Sequence, residues 1–394
     1  MLPRKDLFDL PEGVIYLDGN SLGVLPKSVE ERVAETITAE WGQQLIRGWN
    51  KCGWMDLPDK VGDRIGVLIG AAPGTVTMGD TLSIKVYQAL DAALKLRPDR
   101  KIILSDCGNF PTDLYMAQGL VQTIAKGHEI RTPAPDGVAD AISEDVAVVI
   151  LTEVDYSTGR RHNMAEITAK AHAAGALMIW DLAHSAGAFT VKLAECEADF
   201  AVGCTYKYLN SGPGGPAFIY VRPDLINDIQ PALSGWLGHE APFAFDLDYR
   251  PGMTIQRMRV GTPPILQLAA LDAALDVWDG VEMEDVRNKC LALGDLFIAE
   301  VEARCPDLTL QTPREHDQRG SQISFAFEHG YAAMQAVIAH GVIGDFRAPN
   351  TMRFGITPLY LDEGDMIAAA EVIEKVMKEE MWRDPQYNVR SAVT

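Results

Sequence analysis

Leu177-Met178-Ile179-Trp180-Asp181-Leu182-Ala183-His184 is a run of four apolar residues that ends on a carboxylate. The apolar-periodic segment from Ile167 to Ala174 precedes it, and the apolar runs Phe200-Ala201-Val202 and Ala217-Phe218-Ile219-Tyr220 follow it. Short apolar runs separated by helix-length segments suit strands buried on both faces, so the stretch predicts a largely parallel sheet covered by helices. On the N-terminal side, Lys101-Ile102-Ile103-Leu104 and Ala147-Val148-Val149-Ile150-Leu151 have the same character, and the alternation extends from about residue 60 to 260. The fold class is therefore α/β. Ligands of such sheets bind beyond the carboxyl ends of the strands, where Asp181 and the Asn109-Phe110-Pro111 loop stand.

The flanks read differently. Strand-like Val14-Ile15-Tyr16-Leu17 runs into the turn-rich Asp18-Gly19-Asn20-Ser21-Leu22-Gly23, and a helix is expected after Pro26, with Ser28 as a candidate cap, to about Trp41. After Pro263-Pro264 come two helical segments, Ile265 to Trp278 and Val286 to Arg304, then the alternating Gln322 to Phe327 and a helix from about Glu363 to Glu380. This pattern predicts three parts. An N-terminal arm and helix, 1–55, packs on a small domain; 56–264 is the large domain; 265–394 is the small α+β domain.

Composition narrows the function. A net charge of -20 argues against sequence-independent nucleic-acid binding, which depends on dense Lys and Arg. The six cysteines contain no CxxC pair, so neither a zinc site nor a disulfide framework is suggested. No apolar run approaches the roughly 20 residues that span a bilayer, and Met1-Leu2-Pro3-Arg4-Lys5-Asp6 has no signal-like apolar core. The expectation is a cytoplasmic protein with a small-molecule partner.

Lys207 lies in Gly203-Cys204-Thr205-Tyr206-Lys207-Tyr208-Leu209-Asn210-Ser211-Gly212-Pro213-Gly214-Gly215, in the loop between two of these strands. A strand-end Asp181 followed by a lysine in an aromatic, glycine-rich loop is what a pyridoxal phosphate enzyme needs. The amine forms a Schiff base with the cofactor aldehyde, and the carboxylate keeps the pyridine nitrogen protonated. Each residue alone has a plainer reading, since most lysines are solvated and a strand-end Asp caps helices or joins His184 in a metal site. Gly79-Asp80-Thr81-Leu82-Ser83-Ile84-Lys85 opens a helical stretch and suits either an anion at a helix N-terminus or ordinary capping by Thr81 or Ser83. Phe110, before Pro111-Thr112-Asp113, suits either a ring on the pyridine face or a core aromatic.

Tyr16-Leu17-Asp18-Gly19-Asn20-Ser21-Leu22-Gly23, Phe110-Pro111-Thr112-Asp113, Asp181-Leu182-Ala183-His184, Thr205 to Asn210, Gly235-Trp236-Leu237-Gly238-His239-Glu240 and Gly261-Thr262-Pro263-Pro264 together resemble kynureninase. That family belongs to the aminotransferase class V group of fold-type I pyridoxal phosphate enzymes, whose sheet is seven-stranded. The match runs in order from about residue 14 to 360. It implies hydrolytic cleavage of L-kynurenine to anthranilate and L-alanine, in tryptophan degradation.

Carried over by position, the resemblance implies that Lys207 holds the cofactor, Asp181 pairs with the pyridine nitrogen and Phe110 stacks on the ring. Asp113, His184 and Thr152 would line the pocket, while the Leu82 backbone, Ser83 and Tyr206 would hold the phosphate. Trp236 and Thr262 would contribute across a homodimer interface. Arg353, in Asn350-Thr351-Met352-Arg353-Phe354, would bind the substrate carboxylate, with Asn350, Asn20, Ser21 and Trp49 nearby; a surface salt bridge is the alternative for Arg353. Trp49 and Thr262 stand where animal members that prefer 3-hydroxykynurenine carry histidine and asparagine, which implies a preference for kynurenine. Tyr206 is the candidate proton donor to Cβ. The rival within the group is a cysteine desulfurase, using Cys290 or Cys305, or an aminotransferase.

Overall fold

The structure is a computed structural model that describes residues 2–390. Its strands are β1 (Ile15–Tyr16), β2 (Val76–Met78), β3 (Ile102–Leu104), β4 (Glu129–Arg131), β5 (Val146–Thr152), β6 (Leu177–Asp181), β7 (Phe200–Gly203), β8 (Phe218–Val221), β9 (Thr309–Leu310), β10 (Gln322–Ala326), β11 (Val342–Ile343), β12 (Asp345–Arg347) and β13 (Thr351–Gly355). The helices are α1 (Lys27–Glu35), α2 (Gly48–Lys51), α3 (Leu57–Leu68), α4 (Leu82–Leu96), α5 (Pro111–Ile124), α6 (Val138–Ala141), α7 (Met164–Ala173), α8 (Ile265–Ala274), α9 (Met283–Arg304), α10 (Gly330–Ala339) and α11 (Glu363–Lys378).

Seven strands form the large sheet in the order β2-β8-β7-β6-β5-β3-β4. β8 runs antiparallel to both neighbours, and the other pairings are parallel. All residues of β5 and β6 are buried, as expected for strands covered on both faces. The two-residue period sorts their side chains. Leu177, Ile179, Phe200 and Val202 join Val86, Ala89 and Leu90 of α4 in one core, while Met178, Trp180 and Ala201 join Val61, Leu268 and Leu271 in the other. Neither edge strand is legible in the sequence: β3, of equal length, is the apolar run Ile102-Ile103-Leu104, whereas β2 is Val76-Thr77-Met78 and β4 is Glu129-Ile130-Arg131, with no apolar run to mark them.

The second sheet is antiparallel, β12-β13-β10-β9, and the rings of Phe297, Phe325 and Phe354 meet beneath it at 5.2–6.4 Å. The N-terminal arm lies against this part of the chain. β1 pairs with β11, Lys5 forms ion pairs with Asp362 and Asp365, and Arg4 donates to the Val277 and Asp279 carbonyls.

Two local expectations are corrected. Ser28 does not cap α1; Pro26 holds that position, and the Ser28 hydroxyl donates to the Ala273 carbonyl at 3.0 Å. The helix expected to run to Trp41 stays α-helical only to Glu35 and then widens into a π-helical segment, Thr36–Gln44. No described helix is long and apolar enough to cross a membrane.

Candidate active site

Asp181 ends β6 beside Thr152 at the end of β5, the two being paired in register. Lys207 occupies the turn after β7, which closes when the Asn210 N–H donates to the Lys207 carbonyl at 3.0 Å, with Asn210 at φ 56°. The N-terminal loop braces this turn from outside. Gly23 donates its N–H to the Tyr206 carbonyl at 2.7 Å, and a Cβ there would stand 2.3 Å from the Lys207 carbonyl oxygen, so only glycine permits the approach.

The Lys207 Nζ lies 2.9 Å from His184 Nε2. Burial, reinforced by the Lys207 charge, holds the His184 pKa well below its ordinary value, so the ring is neutral and Nε2 accepts from the ammonium. Asp113 and Asp181 lie side by side and buried. Burial and then the Asp181 charge push the Asp113 carboxyl well up. Burial raises Asp181 too, to about 6, but Lys207 and the Ala183 N–H, 2.8 Å from Oδ1, favour its charged form. The pair thus divides its labour: Asp113 keeps the proton and Asp181 carries the charge.

Thr152 donates to Asn109 Oδ1, which also receives the Phe110 N–H at 2.7 Å, and Asn109 Nδ2 donates to Ser105 at 2.9 Å. These bonds hold out the Phe110 ring, 41% exposed, with its edge against Tyr156 at 5.2 Å. The plainer reading of Phe110 as a core aromatic therefore fails. At the start of α4, Thr81 occupies the cap position without a side-chain capping bond, after a turn with Asp80 at φ 58°. The first-turn N–H groups at Leu82 and Ser83 thus stand at an uncapped helix N-terminus. Lys85, three residues on, is fully buried; its Nζ donates to Gln88 at 3.0 Å and to the Met258 carbonyl at 3.3 Å.

These features fit pyridoxal phosphate. Asp113 Oδ2 and His184 Nδ1 are buried without a hydrogen-bond partner beside Lys207, a ring stands free at Phe110, and an uncapped helix can take an anion.

The second half of the site is built around Arg353 of β13, 1% exposed. It is not a surface salt bridge. Asp345 stands opposite in the β12–β13 register and takes the Nε–Nη2 edge of the guanidinium, with Nε 2.6 Å from Oδ1. The end-on Nη1–Nη2 edge faces the Tyr156 carbonyl and the Ser21 hydroxyl, the latter at 3.2 Å. Ser21 itself donates to Asp345 Oδ2 at 2.7 Å, and Asn20 reaches Gln322 at 3.5 Å. Asn350 lies in the turn before β13, where its carbonyl accepts the Phe327 N–H.

The remaining expected residues lie apart from this constellation. Trp49, in α2, packs edge-on against Trp54 at 5.5 Å. Trp236, 42% exposed, packs on Phe243 at 5.7 Å, and Thr262 is exposed. Among the described residues, none of the three touches Lys207, Asp181 or Arg353 through a hydrogen bond, ring contact or ion pair. The sequence reading missed Asp345, Tyr156 and the role of Asn109. Asp345 carries a faint signal, an acid two residues before Arg347 in a short polar segment, but its partner is fixed only by strand register.

Two solved cysteine desulfurases share the fold, CsdA from Escherichia coli and an apo form from Thermococcus onnurineus. Both are 18% identical, with TM-scores of 0.79 and 0.81 over 95% and 96% of this chain and 98% and 99% of theirs. A profile of the kynureninase C-terminal domain matches residues 286–373. The kynureninase of Pseudomonas fluorescens is 47% identical and that of Burkholderia pseudomallei strain 1106a 48%, each over 100% of this chain and 96% of the relative. With nearly half its residues shared along its full length, the chain belongs to the kynureninase family.

Proposed function

We propose that the chain is a pyridoxal phosphate-dependent hydrolase that splits the Cβ–Cγ bond of L-kynurenine, giving anthranilate and L-alanine. Its full-length identity to curated kynureninases carries the reading. When bound, the cofactor supplies a conjugated, electron-withdrawing ring that spreads the charge a broken carbon–carbon bond leaves behind.

Lys207 anchors the cofactor and takes the proton from the substrate Cα, with His184 as its hydrogen-bond partner in the resting site. Asp181 would supply negative charge to the pyridine nitrogen of a bound cofactor, with Asp113 and Thr152 lining the same pocket. Phe110 would pack on the ring, and the Leu82 N–H, Ser83 and Tyr206 would hold the phosphate. Arg353 offers its end-on edge to the substrate carboxylate, flanked by Ser21, Asn20 and Asn350. Water adds to the γ-carbonyl as anthranilate leaves, and Tyr206 delivers a proton to Cβ. The charge of neighbouring Cys204, then burial, raises the Tyr206 phenol above its ordinary value, so the proton is in place at neutral pH.

The desulfurase rival loses support from its own candidates. Cys290 and Cys305 are 2% exposed, within and at the end of α9, and burial pushes both thiols up to about 11, far from a mobile thiolate nucleophile.

The working unit is a homodimer. Exposed Trp236, Phe243, Phe245 and Leu247 form an apolar face on the segment that would carry Trp236 and Thr262 to a second copy's site. Trp49 and Thr262 favour kynurenine over 3-hydroxykynurenine. The setting is cytoplasmic tryptophan catabolism, feeding anthranilate breakdown or NAD biosynthesis.

The deciding experiment mixes cofactor-loaded protein with L-kynurenine and follows anthranilate fluorescence, with 3-hydroxykynurenine in parallel. Rapid anthranilate release is expected. No product from either substrate, with the bound-cofactor absorbance intact, would redirect the assignment to transamination.

A further inference from the structure

Arg353 is not a free cation awaiting a carboxylate. Asp345 occupies its side-on edge and also receives Arg347 at 2.9 Å and the Ser21 hydroxyl. Burial works against ionisation of Asp345, but the hydrogen bonds and charge of Arg353, with Arg347, outweigh it and hold its carboxyl below the ordinary value. The cluster also contains Asp18. Its backbone bridges Gly355, two residues beyond Arg353, and its carbonyl accepts the Ser21 N–H at 2.9 Å, opening the turn that carries Asn20 and Ser21. Asp18 Oδ1 is buried with no hydrogen-bond partner. The groups that act on its carboxyl electrostatically are Asp345, Arg353 and Arg347, with the Ser21 hydroxyl, and it in turn acts on Tyr16, Tyr208 and Tyr360. All three phenols have raised values, so they stay neutral at physiological pH.

The charge count then turns on one proton. Two guanidinium ions face one ionised carboxylate, Asp345, so the cluster is net positive when Asp18 is protonated and neutral when it is ionised. A positive cluster attracts a carboxylate; a neutral one does not, because two anions already answer the two cations.

We propose that Asp18 is a proton-linked positioning residue of the carboxylate subsite, and that a substrate carboxylate landing on Arg353 brings one proton to Asp18. Burial, then the Asp345 charge, raises Asp18 to about 7 in the free protein, so the linkage falls near neutral pH. Reciprocity fixes the sign. If protonation of Asp18 strengthens carboxylate binding, binding must raise the proton affinity of Asp18 by the same factor. Carboxylate affinity is therefore greatest below pH 7 and falls as pH rises.

The inference rests on the reading of Arg353 as the carboxylate subsite, and its test avoids the catalysed reaction. The probe is 4-oxo-4-phenylbutanoate, which keeps the carboxylate and aryl ketone of kynurenine but has no amine to condense with the cofactor. Titrated into holoenzyme between pH 6 and 9, it should bind with a Kd that rises about tenfold per pH unit above the Asp18 transition. Asp18→Asn, which is neutral at every pH, should flatten that rise. In wild-type protein, calorimetry in buffers of different ionisation enthalpy should show uptake of about three-quarters of a proton near pH 7.5. This arm needs no variant, so it stands even if Asp18→Asn fails to fold.

A wild-type Kd that is flat across the range, an unchanged slope in Asp18→Asn, no net proton uptake, or no binding of the probe would each overturn the proposal. Kynurenine turnover in the same preparation separates the two failures. Turnover with no linkage removes only the role of Asp18, whereas no turnover removes the reading on which it rests.

Discussion

At the cofactor end, Asp181, His184 and Lys207 come from one edge of one sheet, and 27 residues of continuous chain contain all three. At the carboxylate end, Arg353 is met by Asp345 from the adjacent strand, by the Tyr156 carbonyl from a loop of the large sheet, and by Ser21 from the N-terminal turn, 332 residues away. The electrostatics differ in the same way. Asp113 and Asp181 settle one proton between two neighbouring carboxyls under the field of Lys207. Around Arg353, two cations and two acids compensate one another, Asp345, Arg347 and Arg353 from the β12–β13 hairpin and Asp18 from the N-terminal turn, so the charge offered to a ligand depends on all four. A site edge built from one sheet can be read in short motifs; one built by docking distant segments is set by packing.

Substitutions at the two ends should differ in size and in what they disturb. The largest effect should come from Lys207→Ala, which removes the proposed anchor and base together and should lower kynurenine turnover by about a thousandfold or more, read by anthranilate fluorescence. Turnover within tenfold of wild type would end the mechanism.

Next is Asp181→Asn, which keeps shape but removes the charge that Lys207 and the Ala183 N–H stabilise. A fall in kcat of about 10² to 10³ is expected, with a shifted cofactor absorbance. The sign follows from the folded state. In the protein alone, burial raises Asp181 to about 6; a protonated pyridine nitrogen beside it favours the charged form and moves that value down, so the charge, and the activity that needs it, should persist below pH 6 and be lost only as pH falls through the lowered value. Activity already lost at pH 6 with the cofactor bound would contradict it.

At the other end, Arg353→Lys keeps a charge but loses the two-edged geometry, and kcat/KM should fall about a hundredfold through KM with the cofactor spectrum unchanged. Arg353→Met should also cost stability, about 3–5 kcal/mol by denaturant unfolding, because Asp345 stays buried with a single cation. The smallest effect belongs to Asp113→Asn. If Asp113 already holds the proton, an uncharged amide should change cofactor affinity less than about tenfold, and a loss as large as that of Asp181→Asn would show that the proton sits elsewhere.

The large sheet was legible because buried strands of Val, Ile and Leu advertise themselves in runs, and β5 and β6 follow the expected boundaries within a residue or two. The edge strands β2 and β4 were not, since Thr77 breaks the apolar run of one and Glu129 and Arg131 flank a single Ile130 in the other, while the equally short β3 is apolar throughout. Ser28 misled because a hydroxyl near a helix start usually caps it, whereas here α8 offers a carbonyl that it reaches instead. Trp49, Trp236 and Thr262 were expected from family resemblance alone; within the chain Trp49 packs on Trp54 and Trp236 on Phe243.

Periodicity and residue chemistry, which act over a few neighbours, specify the large sheet and the carboxyl-edge positions of Asp181 and Lys207. Whether the helix that starts at Leu82 is capped, which carboxyl of Asp113 and Asp181 keeps its proton, and which edge of Arg353 remains for a ligand depend on burial and on groups that folding brings together from separate segments, the N-terminal turn of Asp18 and Ser21 among them, and no local pattern encodes them.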